Sequence, residues 1–98
     1  MHAAALCVEV HIGASGSLKE KRRVLRPFLE GLRRLASVSV AEVDHHDTWQ
    51  RAAIGVALVA PDAGGLERLI EMVRRYVDEQ LELTVVAVTV TYLEDPRG

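Results

Sequence analysis

Hydrophobic and polar positions fall into six periodic segments along this chain. From residue 4 to 13 they alternate, with Leu6, Val8, Val10 and Ile12 on one side and Ala5, Cys7, Glu9 and His11 on the other, which predicts a strand. A Gly13-Ala14-Ser15-Gly16 break follows, and Ser17 with Glu20 makes a capping-box pattern. From there to Ala36 the apolar residues Leu18, Val24, Leu25, Phe28, Leu29, Leu32 and Leu35 gather on one side at 100° per residue, the signature of an amphipathic helix. Pro27 lacks a backbone donor and crowds the carbonyl of Arg23, so a kink is expected there. Lys21 falls on the apolar side, where its stem is expected to carry the ammonium outward.

Residues 37–45 and 50–60 read as two more strands joined by a short acidic turn, hence an antiparallel hairpin. Pro61-Asp62 ends the second of them, with Asp62 as N-cap of a helix that buries Leu66, Leu69, Ile70, Val73 and Val77. A Val- and Thr-rich strand over 83–92 and a polar tail complete the chain. The order β-α-β-β-α-β, with right-handed crossovers, predicts one ferredoxin-like α+β domain over residues 1–98: a four-stranded antiparallel sheet, its first and third strands central, with both helices on one face. Many activities share that fold, so chemistry must be argued from particular residues.

The pattern also predicts what the uncovered sheet face carries. Ala53, Gly55, Ala57 and Val59 point that way from the third strand, opposite an inward set of Ala52, Ile54, Val56 and Leu58. In the last strand Val86, Val88, Val90 and Tyr92 are expected inward and Val85, Ala87, Thr89 and Thr91 outward. A solvated face of an antiparallel sheet should be polar. This one is small and apolar, which suggests a second layer, most simply another copy of the chain, with Cys7, Ala53, Gly55, Ala57, Val85, Ala87 and Trp49 as interface candidates. The central strands carry no aromatics on that face, which weighs against base stacking on the sheet.

Charge adds an asymmetry. The net charge is −2, yet seven cations against two acids lie between Ser17 and Arg34, and six acids against three cations between Asp62 and Glu82. Lys19, Arg22, Arg23, Arg26, Arg33 and Arg34 form a stripe opposite the apolar side of the first helix, a candidate polyanion-binding surface. Ser15, Gly16 and Ser17 at the helix start are a weaker candidate for an anion, since the Gly-Lys-Ser/Thr ending of a phosphate loop is missing. Asp44, His45, His46 and Asp47, with His11 from another strand, offer metal-ligand chemistry, although adjacent strand residues point to opposite sides. Cys7 is alone, so no internal disulfide forms, and no apolar run reaches the ~20 residues of a membrane span. The chain is expected to be cytoplasmic, without a cofactor.

Two segments carry a family resemblance. Ser17-Leu18-Lys19-Glu20-Lys21-Arg22-Arg23-Val24-Leu25, followed by Ser39-Val40-Ala41-Glu42-Val43-Asp44-His45 and Trp49-Gln50-Arg51-Ala52, resembles the bacterial YlxP-like family, DUF503, over nearly the whole chain. The resemblance implies a small ferredoxin-like protein of unassigned function and brings no catalytic residues with it. It also implies, by gene neighbourhood alone, a connection to RNA or the ribosome. His46 stands where the family commonly has Gln. The expectation from sequence is therefore a homodimeric, non-enzymatic binding module that docks to RNA or a ribonucleoprotein through its first helix. A small metal-dependent or acid-base hydrolase centred on the Asp-His-His-Asp hairpin is the alternative.

Overall fold

The computed structural model describes residues 1–13, 15–35 and 38–93. The expected helix end at Ala36, strand start at Ser37, polar tail over 94–98 and Ala14 lie outside the described residues. Six elements follow one another: β1 (His2–His11), α1 (Leu18–Leu35), β2 (Val38–Asp44), β3 (Arg51–Ala60), α2 (Ala63–Asp78) and β4 (Thr84–Leu93). The strands form one antiparallel sheet in the order β2-β3-β1-β4, with β1 and β3 central as the pattern requires. This is the ferredoxin-like arrangement. No helix among the described residues is long and apolar enough to cross a membrane.

Both helices cover one face, α1 over β2 and α2 over β3 and β1. The core between the layers is the inward set of β1 and β3 together with Leu25, Phe28 and Leu32 from α1 and Leu66, Ile70, Val73 and Val77 from α2. Each such aliphatic or aromatic side chain contributes about 1.5–3 kcal/mol by leaving water. Asp62 caps α2 as expected, accepting from the Gly65 N–H at 2.6 Å. α1 runs as one element through Pro27.

β4 corrects the sequence reading. Its pairing with β1 shifts between Glu9 and Val10, where Glu9 faces Ala87 but Val10 faces Val85. The extra residue is Val86, which turns outward and is 65% exposed, whereas Val85 packs against the core. Val85 therefore lies on the helix side and is no part of the open face. Tyr92 does face the helix side, where its hydroxyl donates to Glu67 Oε1 of α2 at 2.9 Å while the ring stays 53% exposed.

The two helices approach closely at Gly31. A Cβ there would stand only 2.0 Å from Tyr76 Oη and 2.8 Å from its Cζ. The missing side chain lets Tyr76 lie across α1, donate to the Phe28 carbonyl at 2.9 Å and tilt against the Phe28 ring with centroids 5.6 Å apart. Burial raises the Tyr76 phenol above its ordinary value, against a smaller lowering by Arg34. Replacing Gly31 by Leu should destabilise the fold by about 2–3 kcal/mol through overpacking, despite better helix propensity. Tyr76→Phe should cost about 1 kcal/mol for the lost hydrogen bond. Urea denaturation with an unchanged m-value measures both.

Candidate functional site: the α1 start and the β2–β3 hairpin

The first turn of α1 and the β2–β3 turn meet around Lys21. Lys21 does not lead its ammonium outward. It is 2% exposed, with Nζ donating to the His45 carbonyl at 2.6 Å and lying 2.9 Å from Glu42 Oε2. The reason is register: Glu42 shares the inward phase of Val38 and Val40, so an acid on β2 faces the apolar side of α1 where Lys21 projects. Glu42 Oε2 has no hydrogen-bond partner in the strict sense, so its contact with Lys21 is ionic. Removing one member of such a pair strands the other in a poorly solvated place.

The turn around that contact is tightly tied. His45 adopts a left-handed conformation at φ 62°, and its carbonyl also accepts from the Thr48 N–H. The His45 N–H donates to Asp44 Oδ1 at 2.7 Å. Beyond the turn, the Gln50 carbonyl accepts from the Ile12 N–H at 2.8 Å, and the Gln50 amide donates to the Ser15 carbonyl at 3.4 Å. The hairpin end is thus pinned to the β1–α1 loop and to α1 itself.

This arrangement redistributes the metal-ligand candidates. The His46 ring hydrogen-bonds the Glu42 carbonyl through Nε2 at 3.0 Å, and the His45 ring turns to Glu9 Oε1 at 3.6 Å. Among the described residues no three His, Cys, Asp or Glu side chains stand close enough to share a metal. His11, Asp44, His45, His46 and Asp47 therefore form no shared metal-ligand set among the described residues.

The anion candidate at the helix start is corrected as well. Glu20 fills the place an anion would take, accepting from the Gly16 N–H at 2.8 Å, while its own N–H donates to Ser17 Oγ at 3.1 Å. Ser15 is buried, its N–H given to the Ile12 carbonyl and its hydroxyl to the Ser17 carbonyl. The chain caps its own helix with its own carboxylate.

The cationic stripe divides in two. Arg33 donates to the Val40 carbonyl at 3.2 Å, and Arg34 stands 3.8 Å from Glu30, an exposed pair of little energetic worth. Lys19, Arg22, Arg23 and Arg26 are exposed and make no ion pair among the described residues. With Ser17, Glu20 and Pro27 they line a broad concavity of about 740 Å³.

On the opposite side of the sheet, side chains line up in rows across the strands. Leu93, Ala3 and Val59 form one row, Thr91, Ala5, Ala57 and Ser39 the next, and Thr89, Cys7, Gly55 and Ala41 the third. None of these residues is charged; charge begins only in the row of Ala87, Glu9, Ala53 and Asp44. Ala53 is withdrawn from the expected open set, because the Glu9–His45 contact spans its position and leaves it 2% exposed. Gly55 is partly covered too. Val43, the extra residue of a second bulge in β2, lies over it, with Cγ1 2.8 Å from where a Cβ would be.

Comparison with known proteins places the chain. Residues 3–90 match the family described as a protein of unknown function, DUF503. The uncharacterized protein YlxP of Bacillus subtilis (strain 168) is 36% identical over 73 residues, covering 72% of this chain and 79% of that protein. Among solved structures, the de novo designed protein Foldit4 superposes with a TM-score of 0.53 at 15% identity over 97% of this chain and 99% of its own, a likeness of fold alone.

Lys21→Ala should destabilise the protein by about 2–4 kcal/mol, the lower part of the range reflecting the partial exposure of Glu42. Lys21→Met and Glu42→Leu should each destabilise alone, and the double variant Lys21→Met, Glu42→Leu should recover most of the loss, which a double-mutant cycle in urea would show. The Ser17-Leu18-Lys19-Glu20-Lys21-Arg22-Arg23 and Glu42-Val43-Asp44-His45 segments thus owe part of their pattern to one buried contact, and the chain that carries them belongs to the DUF503 family.

Proposed function

We propose that this protein is a non-enzymatic binding module that holds a phosphate-rich polyanion, RNA or a ribonucleoprotein, on the α1 surface. The observation that carries this reading is the group Lys19, Arg22, Arg23 and Arg26, exposed around one concavity and unneutralised among the described residues. Surface cations on an unspecialised helix are commonly balanced by acids three or four residues away. Here Glu20 is committed to the Gly16 N–H and Glu30 stands by Arg34 instead. Four cations on one helical surface would release counterions from a phosphate backbone and read no sequence. Replacing Arg22, Arg23 and Arg26 together by Gln should weaken binding to unrelated single-stranded RNAs alike. It should also flatten the dependence of log K on log salt by roughly 2 if all three touch phosphates. Fluorescence anisotropy at several salt concentrations measures this, and an unchanged slope removes the reading.

The module is read as a homodimer joined through the open sheet face, which would be a cytoplasmic assembly of two like chains. Four strands, ten residues long in three cases, make a face of roughly 33 × 19 Å, about 600 Å² before side-chain relief. That approaches the ~800 Å² per partner of a standard interface. Three neutral rows favour a partner with no charge to match, and a second copy supplies such a surface by symmetry. Val59 and Leu93, 58% and 62% exposed, would gain most by being covered. Light scattering at micromolar concentration should give about twice the chain mass. Ala57→Glu should shift the protein toward monomer, and it is a cleaner probe than Gly55, whose Cβ would meet Val43.

A further inference from the structure

We propose that Trp49 is a stacking platform for an unpaired nucleobase, so that the polyanion held on α1 is single-stranded nucleic acid. This rests on the cationic reading of α1 and narrows its ligand. Trp49 is the chain's only tryptophan. It is 52% exposed, and the one aromatic ring pair among the described residues, Phe28 with Tyr76, lies elsewhere. A large indole left half in water forgoes burial energy that the core could have used.

Its setting is rigid. On one side of it the His45 carbonyl holds Lys21 Nζ and the Thr48 N–H; on the other, Gln50 is bonded to Ile12 and Ser15. Ser15 is three residues before Leu18, where α1 begins, so these bonds hold the hairpin backbone on either side of Trp49 near the helix start. A hairpin backbone already fixed in place loses little freedom when a base stacks on the side chain it carries. Around it, Asp47, Thr48 and Gln50 complete a shallow concavity of about 380 Å³. Their carboxylate, hydroxyl and amide suit the edge of a base. Asp47 repels phosphate, which leaves the backbone to the cations of α1 and the base to the indole.

A tryptophan of this exposure could instead anchor a protein partner. Chemistry decides between the two: polar Asp47, Thr48 and Gln50 line the concavity at the indole, and the neighbouring first turns of α1 carry Lys19, Arg22 and Arg23. A duplex keeps its base faces stacked within itself, so only a single strand can use this platform. The sheet carries no stacking aromatics; the stacking group sits on the hairpin instead.

The test uses the intact protein and an oligocytidine RNA of about 12 nucleotides, within the usual site sizes of single-strand grooves. Because Trp49 is the sole tryptophan, intrinsic emission reports this ring alone. The expected result is quenching that follows the same titration curve as anisotropy of the labelled RNA, with a matching duplex bound more weakly. Trp49→Ala should weaken binding roughly 5- to 150-fold with the salt slope unchanged, and Trp49→Phe should keep most of the affinity. RNA binding that is lost in the Arg22, Arg23, Arg26 triple variant but leaves Trp49 emission unchanged would overturn the stacking platform while sparing the cationic surface. Equal binding of duplex would do the same. Absence of RNA binding at low salt would overturn both.

Discussion

The buried ammonium of Lys21 is the constraint on which the working end of this molecule depends. Apolar burial alone would bring α1 and α2 onto the sheet, since the core residues are continuous across both layers. It would not determine where the β2–β3 turn rests. Lys21 does that, because its charge is tolerable inside only with Glu42 beside it and a carbonyl above it. The carbonyl is that of His45, presented from a left-handed backbone that few residue types adopt readily. One contact thereby ties the second strand, the turn and the first helix into a single body.

The charge layout follows from the same organisation. A molecule of net charge −2 still presents a strongly basic helix start, because its acids are elsewhere or occupied: Glu42 on Lys21, Glu20 on the Gly16 N–H, Glu9 near His45. The acids of α2 and its flanks lie on the other half of the helical layer. The two faces of the sandwich therefore differ in kind. The helical face offers charge to a ligand, and the sheet face offers three neutral rows.

Most of this fold was legible in the sequence, and the part that was not has identifiable causes. Alternation in β1 and β3 and the helical period of α1 and α2 revealed the core, because each buried face there is uniformly apolar. The bulge in β4 left no trace, since Val85, Val86, Ala87 and Val88 are all small or apolar and any one of them could be the extra residue. Lys21 stood out as a cation on an apolar side, but its partner could be recognised only once β2 was known to run beneath α1. Gly31 looked like a mere helix weakener until Tyr76, far along the chain, was seen lying across it. The helix start resembled an anion site because capping residues and ligand-binding residues are the same types, and only geometry shows which role Glu20 has taken. The histidines offered metal-ligand chemistry by residue type alone. Metal binding needs convergence, and the turn sends the two rings in different directions.

The order β2-β3-β1-β4 leaves two outer strands, and the chain guards them unequally. An outer strand is a template on which another chain can continue the sheet. Beside β2, the Arg33 guanidinium reaches from α1 to the Val40 carbonyl, and a strand arriving there would meet charge and a bulge at Val43. β4 has neither charge nor proline from Thr84 to Leu93. Its one interruption is Val86, which breaks the ladder near the start and shortens the regular stretch available for pairing. Among the described residues, resistance to uncontrolled sheet growth therefore rests, on that side, on a single supernumerary valine.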